Sequence, residues 1–346
     1  MSMKTCLMVG AGGMGGGWIQ RLTENFGDRV KIVGLVDVVP QVLERQSKAL
    51  GLDRSRCFTD VHHALEAVGA DFCGVATPPP FHREAIIGAM EKGMPVICEK
   101  PIADTLHSAR AVVRMAKKTG LPCAIIQNYR YARNKLELGR IRQEGRLGRF
   151  QHIVARYACN YRKHGSWGAA WRHDMEFGLL VEGSVHHFDM LRYLSGADCE
   201  SLFGFGWNPE WSSFKHHSSG FYVMRMDNGT HGFYEGNSSA AGVTNCWHRE
   251  CYRAEFEEGT VETVDENILH VYRTNQETQT LEAPPMRWEG HNYLFDEFLN
   301  WLDGGPPSVT RVEQNIKSFA MVMAAMDTTR DGQPRRISDY ISDLDI

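Results

Sequence analysis

Over residues 1–125, short apolar runs alternate with helical patterns. The apolar runs predicted as strands are 5–9, 30–36, 72–76, 95–98 and 123–127. The patterns predicted as helices are 14–25, 42–50, 61–68, 82–92 and 106–118. Strands that alternate with helices imply βαβ units and a parallel sheet covered on both faces. The sequence therefore predicts that 1–125 form a doubly wound Rossmann-type α/β domain.

After residue 125 the pattern changes to long strands and fewer helices. Strands are predicted at 150–161, 201–205, 220–226, 232–234, 251–256, 260–264 and 268–273, and helices at 132–144, 180–194, 292–303 and 314–328. Asp227-Asn228-Gly229 and Glu257-Glu258-Gly259 are typical of hairpin turns between neighbouring strands. Residues 126–346 are therefore predicted to form an α+β domain with a largely antiparallel open sheet, which binds substrate and mediates oligomerisation.

Composition narrows the class of protein. The chain has 346 residues, 42% of them hydrophobic and 23% charged, with a formal net charge of −4. Charges of both signs are mixed and form no basic stripe, so nucleic acid is not expected as a partner. No apolar run approaches the roughly 20 residues that span a bilayer. The nine cysteines are scattered without a paired CxxC motif, so we expect a cytoplasmic protein with reduced thiols and no bound metal.

A glycine-rich sequence follows the first predicted strand and opens a helix. Gly10-Ala11-Gly12-Gly13-Met14-Gly15 matches G-x-G-x-x-G, in which the glycines permit the turn, the approach of a pyrophosphate and close packing of helix on sheet. The second strand ends in Asp37, whose carboxylate is suited to the ribose hydroxyls of NAD and would repel the 2′-phosphate of NADP. An Asp that caps the next helix is the alternative. The sequence favours NAD, with NADP as the weaker candidate.

Further motifs resemble those of the Gfo/Idh/MocA oxidoreductases. They are Val75-Ala76-Thr77-Pro78 with His82, Glu99-Lys100-Pro101, Asn128-Tyr129-Arg130, Trp171-Arg172, and the segment from Glu182 to Asp189. The resemblance covers nearly the whole chain, although the sheet beyond residue 200 matches only in character. It implies that Ala76, Thr77, Pro78, His82, Glu99, Lys100 and Asn128 join the glycine turn around the cofactor.

The resemblance also implies the catalytic residues. The lysine of the E-K-P motif, here Lys100, reaches the substrate hydroxyl and the nicotinamide ribose. His186 takes the place of the histidine in the second domain. Glu182 and Ser184 stand where the family usually has an aspartate and a glycine, so the pocket is expected to differ in shape and no named substrate is carried over.

The chemistry of alcohol oxidation agrees with these roles. Removing a hydride from a CH–OH carbon also requires a base for the hydroxyl proton and a cation beside the developing alkoxide. Lys100 is suited to both, because nearby NAD⁺ and partial burial would lower its pKa from about 10.4. Glu182 and His186 are spaced i, i+4 and share a helix face. His187 is expected to be structural, and Asp189 either orients His186 or caps a neighbour.

Residues 161–173 are dense in aromatic and basic groups. Aromatic rings stack on the C–H surfaces of sugars, while basic groups bind hydroxyls or an anionic substituent. Lys163, His164 and Arg172 are therefore candidates for substrate binding together with Glu182 and His186, and Trp171 is expected to pack at the domain interface. The number of cations hints at an acidic or sulfonated sugar.

These observations predict an NAD-dependent dehydrogenase acting on a hydroxyl of a sugar, sugar derivative or cyclitol. An NAD-dependent glycoside-cleaving enzyme and a non-catalytic NAD-binding regulator are the alternatives. A largely antiparallel sheet with too few helices to cover both faces also predicts a homodimer or homotetramer.

Overall fold

The computed structural model describes residues 3–346, which divide into two compact units. The first unit comprises the chain up to Ile126, residues 291–316 and Ile346, and the second comprises 127–290 and 317–345. The first boundary lies next to the predicted one at 125/126. The segment 291–316 returns to the first unit, which the contiguous division drawn from sequence did not anticipate. The segment returns because its aromatic side chains belong to the core of the first unit. Phe295 packs edge-on against Trp18 with ring centroids 5.0 Å apart, and Phe298 packs against Phe72 in the same way at 5.6 Å.

The first unit is built on a six-stranded parallel sheet with the order β3-β2-β1-β4-β5-β6. Its strands are β1 Lys4–Val9, β2 Val30–Val36, β3 Cys57–Phe58, β4 Phe72–Val75, β5 Val96–Cys98 and β6 Cys123–Ile125. Its helices include α1 Gly13–Phe26, α2 Pro40–Leu50, α3 Val61–Ala67, α4 His82–Glu91 and α5 Leu106–Thr119. The predicted doubly wound fold is confirmed. The sequence did not predict the short edge strand β3, because two residues are too few to show the alternation of apolar and polar positions that marks a strand.

The second unit contains a nine-stranded sheet, in which only β7 and β10 run parallel to each other among the pairings of the described residues. Its strands are β7 Phe150–Ala158, β8 Cys199–Trp207, β9 Ser219–Met226, β10 His231–Asn237, β11 Cys251–Phe256, β12 Gly259–Asp265, β13 Ile268–Tyr272, β14 Gln279–Glu282 and β15 Arg335–Arg336. The remaining helices of the chain are α6 Arg133–Gln143, α7 Trp171–Asp174, α8 Val185–Ser195, α9 Gly290–Leu302, α10 Val312–Asp331 and α11 Ser338–Ile341. The largely antiparallel sheet and both predicted hairpin turns are confirmed.

The helix predicted at 180–194 has two parts. Residues Leu179–Ser184 form a π-helical turn, and α8 continues from Val185. Phe188 of α8 packs edge-on against Tyr222 and Tyr234 of the sheet, at ring-centroid distances of 5.9 and 5.1 Å. Through these contacts α8 packs against β9 and β10 on one face of the sheet.

Two of the nine cysteines correct the expectation of reduced thiols. Cys159 and Cys246 form a disulfide although they lie 87 residues apart in sequence. The other seven cysteines are free, and most of them are buried. The pairing depends on β7 ending beside a distant loop, which spacing along the chain does not reveal. Between residues 3 and 346, none of the helices has the length and apolar character required to cross a membrane.

On the opposite face, the part of the large sheet formed by β8 and β9 is open and apolar. The alternation along β8 and β9 leaves Phe205, Trp207, Phe221 and Val223 with 59, 47, 44 and 38% of their surfaces exposed. Exposed apolar patches of this kind are typical of interaction surfaces.

We therefore expect the protein to form a dimer or tetramer through this face. Phe205→Glu combined with Phe221→Glu should dissociate the assembly, because two charges would be buried without partners. Light scattering at micromolar concentration measures the mass. Val309→Glu, at another exposed apolar residue, is the control and should not change it. A wild-type protein that is monodisperse at the chain mass of 39.1 kDa would contradict the prediction.

Candidate active site

The carboxyl ends of β1, β2, β4 and β5 lie at one edge of the parallel sheet, where the order of the strands reverses between β1 and β4. Open α/β sheets bind ligands at such a switch point. Gly10 turns the chain there with a φ of +87°, and a Cβ on it would lie 2.6 Å from Ala76 O. A Cβ on Gly15 would lie 2.0 Å from Gly10 O. Both glycines are therefore required sterically, as the fingerprint predicted.

Helix α1 begins at this turn without a side-chain cap and without an acidic residue in its first turn. The first amides of a helix have no intrahelical partner and favour anions. A Cβ on Gly13 would meet nothing within 4 Å, so the approach to these amides is open. Thr77 Oγ1 is buried without a hydrogen-bond partner among the described residues. This backbone cradle fits a pyrophosphate.

Asp37 directly follows β2 beside the glycine turn. Its Oδ2 accepts hydrogen bonds from the backbone N–H groups of Ala11 and Gly12, both at 2.9 Å. Its Oδ1 accepts from the Val39 N–H at 2.9 Å. The carboxylate therefore fixes the turn and places negative charge beside it. A carboxylate has about four acceptor sites, so three such bonds leave capacity for a ribose hydroxyl.

Glu99 is buried directly after β5 and works as an internal anchor. Its Oε1 accepts from Trp18 Nε1 at 2.9 Å and faces His291 Nε2 at 3.1 Å. Burial favours a higher pKa for this carboxyl, but the hydrogen bond and charge of His291 hold the pKa below its usual value. These contacts turn Glu99 inward. Its Oε2 accepts the backbone N–H of the half-buried Lys100 at 3.2 Å, and a direct contact of Glu99 with the cofactor stays a prediction.

His82 also supports the site from within. It is fully buried, with Nδ1 2.8 Å from Pro101 O and Nε2 2.7 Å from Thr77 O. Burial lowers the pKa of its imidazole. Because both ring nitrogens face carbonyl groups, His82 joins the loops after β4 and β5 and leaves no ring nitrogen for the cofactor contact expected from the sequence.

In the second unit, His186 occupies the first turn of α8 and is 6% exposed. Its ring stacks on Tyr129, with centroids 4.3 Å apart and an interplanar angle of 17°. Tyr129 belongs to the 3₁₀ turn Asn128–Tyr131, in which Asn128 is also buried. The stack fixes the plane of the imidazole.

Glu182 lies in the π-helical turn before α8, where its Oε2 accepts from Arg172 Nε at 3.1 Å. The Arg172 guanidinium also lies over the Trp167 and Trp171 rings, 5.8 and 4.9 Å from their centroids. Two of the predicted substrate residues are therefore brought together as an ion pair. The pair presents both donors and acceptors beside an aromatic wall.

Two other predicted substrate residues lie on the surface. Lys163 and His164 are exposed, and His164 Nε2 lies 3.6 Å from Asp174 Oδ2. Trp171 keeps 46% of its surface exposed, whereas Trp167 is 6% exposed. The buried tryptophan of segment 161–173 is therefore Trp167.

Asp189 has a structural partner. Its carboxylate accepts from Arg130 Nε and Nη2 at 2.6 and 2.7 Å, and from Ser318 Oγ at 2.6 Å. The Asp189 charge raises the pKa of Arg130 against the opposing effect of burial. His187 Nδ1 lies 2.8 Å from Tyr234 OH inside the core, so its structural role is confirmed.

Sequence reasoning missed Trp247 and the buried pair of Lys135 and Glu250, whose Nζ and Oε2 are 3.0 Å apart. Trp247 contacts Tyr129 and Trp167, at ring-centroid distances of 6.4 and 6.0 Å. A tryptophan within an irregular loop gives no periodic signal, and a charged pair separated by more than 100 residues becomes visible only after folding.

Comparison with known proteins identifies the family. A profile described as "Oxidoreductase family, NAD-binding Rossmann fold" matches residues 4–127, and the "GFO/IDH/MocA C-terminal domain" profile matches 136–262. The chain belongs to the Gfo/Idh/MocA family of oxidoreductases. The resemblance noted from the motifs is thereby confirmed.

Similar proteins span almost the whole length of this family member. The uncharacterized protein y4oX of Sinorhizobium fredii is 34% identical, with 97% of this chain and 96% of that protein covered. The scyllo-inositol 2-dehydrogenase (NAD(+)) of Bacillus subtilis is 24% identical, with 95% of each chain covered. The crystal structure of the WlbA dehydrogenase from Bordetella pertussis in complex with NADH and UDP-GlcNAcA has a TM-score of 0.82 at 22% identity, covering 96% of this chain and 98% of that one.

The buried Arg130–Asp189 pair generates a prediction about stability. Asp189→Ala should lower the free energy of unfolding by about 3–5 kcal/mol, because it leaves a buried guanidinium unpaired. Urea unfolding measures this. Asp28→Ala, at an exposed aspartate, is the matched control and should stay within about 0.5 kcal/mol of wild type. Unchanged stability in Asp189→Ala would show that the pair does not hold this unit together.

Proposed function

We propose that this protein is an NAD-dependent dehydrogenase that oxidises a CH–OH group of a sugar, sugar derivative or cyclitol. The observation that carries the proposal is the position of Lys100. It lies two residues after β5 ends at Cys98, at the sheet edge that also carries the glycine turn and Asp37. The relatives named as an inositol dehydrogenase and as a dehydrogenase in complex with NADH support the reaction class.

The glycine turn and Asp37 would hold the cofactor. The amides at the start of α1 bind the pyrophosphate, and the Asp37 carboxylate accepts hydrogen bonds from the adenosine ribose. The carboxylate is oriented by Ala11, Gly12 and Val39, so it cannot easily turn away from a 2′-phosphate. NAD is therefore the expected cofactor, and its nicotinamide ring supplies the hydride acceptor when bound.

Lys100 would act on the reacting hydroxyl. Its amine takes the hydroxyl proton, and its positive charge stabilises the developing alkoxide. The Glu99 carboxylate accepts the Lys100 backbone N–H at 3.2 Å, which fixes the start of the lysine side chain. Holding a reacting group in position contributes to catalysis independently of its pKa.

In the second unit, His186 would receive or return the proton while the substrate is held by the Arg172–Glu182 pair. An imidazole changes protonation near neutral pH, which suits a relay. The stack on Tyr129 restricts its orientation. The ion pair offers guanidinium donors and carboxylate acceptors, a combination that matches neighbouring hydroxyls better than a lone cation does.

Replacing Lys100 is the sharpest test. Lys100→Ala should lower kcat about 10²–10⁴-fold while NADH binding stays nearly unchanged, because the glycine turn is intact. His186→Ala should lose less, since the histidine is proposed only to relay the proton. NAD reduction is measured over a panel of sugars, cyclitols and uronic acids, beside titration with NADH.

Lys92→Ala, at an exposed lysine paired with Glu66, is the control and should keep wild-type rates. Near-normal kcat in Lys100→Ala would remove this residue from the chemistry, and a folded variant without NADH binding would make it a cofactor anchor. Sustained glycoside cleavage without NADH accumulation would replace net oxidation as the function. A wild-type protein inactive on the whole panel would favour a regulator that binds NAD.

Asp37 sets the choice of cofactor. Asp37→Ala should weaken NADH binding and relax the preference over NADPH, because the acceptor and the repelling charge are both lost. Asp37→Asn keeps an acceptor for the turn and should relax the preference with a smaller loss of affinity. Fluorescence titration with both cofactors measures the ratio. Tighter binding of NADPH than of NADH by the wild-type protein would contradict this assignment.

A further inference from the structure

Residues 245–250 of the second unit form an irregular segment, here called the tryptophan turn. Its partly exposed Trp247 stacks on Trp167, with centroids 6.0 Å apart and an interplanar angle of 21°. The indole Nε1 donates to Tyr161 OH at 2.7 Å. The far edge of the indole lies over Gly183, where a Cβ would be only 3.6 Å from it. The turn therefore lies directly beside the π-helical segment that carries Glu182.

The next residue, His248, is exposed and is held in an unusual conformation. Its φ is +70°, a left-handed value that is costly for a residue with a side chain. Its ring centroid lies 4.8 Å from that of Tyr129, the ring on which His186 stacks. Strained backbone of this kind persists only where the surroundings impose it, and it is concentrated at functional sites.

The buried Lys135–Glu250 pair imposes this conformation. Glu250 Oε1 accepts the His248 backbone N–H at 2.9 Å, and Lys135 Nζ donates to the His248 carbonyl at 3.4 Å. Burial favours a higher pKa for Glu250, but above all the charge of Lys135 lowers the pKa to about 2. Both partners are fully buried. The Lys135–Glu250 ion pair therefore holds both the backbone N–H and the backbone carbonyl of His248.

The opposite end of the turn is held covalently. The Cys159–Cys246 disulfide joins the residue before Trp247 to the chain just beyond β7. Asn245 and Ala158 exchange two backbone hydrogen bonds, at 2.8 and 3.1 Å, beside it. The tryptophan turn is thus fixed at both ends by groups that the proposed hydride chemistry does not use.

We propose that the tryptophan turn determines substrate specificity, with His248 and Trp247 contacting a ring-shaped polyhydroxylated substrate. Lys135, Glu250 and the Cys159–Cys246 disulfide are positioning groups that set where these two rings stand. The assignment rests on the proposed function for the identity of the reaction, but it adds a substrate-contacting element that neither the motifs nor the catalytic roles include. Because the disulfide holds the turn, substrate affinity should respond to its oxidation state.

The first test removes the ring of His248 while keeping its backbone. His248→Gly retains the left-handed conformation, since glycine adopts positive φ at little cost. It should raise KM and shift the ratio of kcat/KM between the two best panel substrates by about tenfold, with a much smaller change in kcat. NADH affinity should not change. His63→Ala, at an exposed histidine of α3 in the first unit, is the control.

The second test addresses the anchors. Dithiothreitol gives two electrons and two protons to the Cys159–Cys246 bond and closes to its own cyclic disulfide. Thiol titration of the denatured protein should count seven thiols before this treatment and nine after it. Reduction should raise KM severalfold while NADH binding persists, and the Cys159→Ser/Cys246→Ser variant should have the raised KM without responding to dithiothreitol.

Controls and a direct binding measurement complete the design. Cys57→Ser, at an unpaired cysteine, should behave as wild type. Glu250→Gln keeps an acceptor for the His248 N–H but loses the charge, and should shift the same substrate ratio. If this variant fails to fold, His248→Gly and the disulfide variant still decide the matter. Calorimetric titration of the panel compounds into the protein with NADH measures binding without requiring turnover.

The outcomes separate this inference from the proposed function. Turnover with an unchanged substrate ratio, KM and Kd in His248→Gly and in the reduced protein would overturn the inference and leave the function standing. Substrate binding that depends on His248 and on the disulfide, without NAD reduction, would support the inference and overturn the function. A count of nine thiols before reduction would overturn the covalent anchor. Absence of both binding and turnover for every panel compound would overturn both proposals.

Discussion

The nucleotide end of this protein depends on one steric constraint, the close approach of three backbone segments at the end of β1. Gly10 passes so near the chain after β4 that a Cβ would lie 2.6 Å from Ala76 O, and α1 begins so close to the turn that a Cβ on Gly15 would lie 2.0 Å from Gly10 O. Only glycine permits both approaches. They bring the first amides of α1 to the edge of the sheet where the order of the strands reverses. The Asp37 carboxylate then holds the turn by accepting hydrogen bonds from the backbone N–H groups of Ala11 and Gly12.

A second principle is that buried charges in both units are paired and serve as anchors. Glu99 joins α1 and α9 to the end of β5 in the first unit, and Asp189 joins Arg130 to Ser318 in the second. Removing water from a charged group is costly unless partners replace the lost hydrogen bonds. Each carboxylate is therefore committed to its neighbours. The groups left at accessible or partly accessible positions, such as Lys100 and Arg172, are the ones suited to meet ligands.

The tryptophan turn, proposed to determine substrate specificity, is anchored in the same way. In the second unit, α8 packs on the sheet through Phe188, Tyr222 and Tyr234, none of which belongs to the tryptophan turn. The turn itself is irregular and is held by an ion pair and a disulfide. Loops fixed on a rigid scaffold commonly carry specificity, because their residues can change with little effect on the core.

The sequence by itself determined the fold class, the family and most of the elements. Periodicity is a local property, so the strands of the Rossmann sheet, the helices and the hairpin turns at Asp227 and Glu257 could be placed before folding was considered. Three features identified the nucleotide-binding edge of the parallel sheet: the glycine turn, Asp37 and the E-K-P motif. They could do so because each of them directly follows a predicted strand.

Only the tertiary structure decided which polar residues face inward. Glu99 and His82 belong to motifs that suggest cofactor contacts, yet Glu99 faces His291 of α9 and one ring nitrogen of His82 faces the carbonyl of Pro101 after β5. The Lys135–Glu250 pair, the Cys159–Cys246 bond and the Trp247–Trp167 stack join residues 80 to 115 positions apart. A one-dimensional pattern records spacing along the chain, whereas these interactions depend on which strands become neighbours, and that is settled only when the sheet forms.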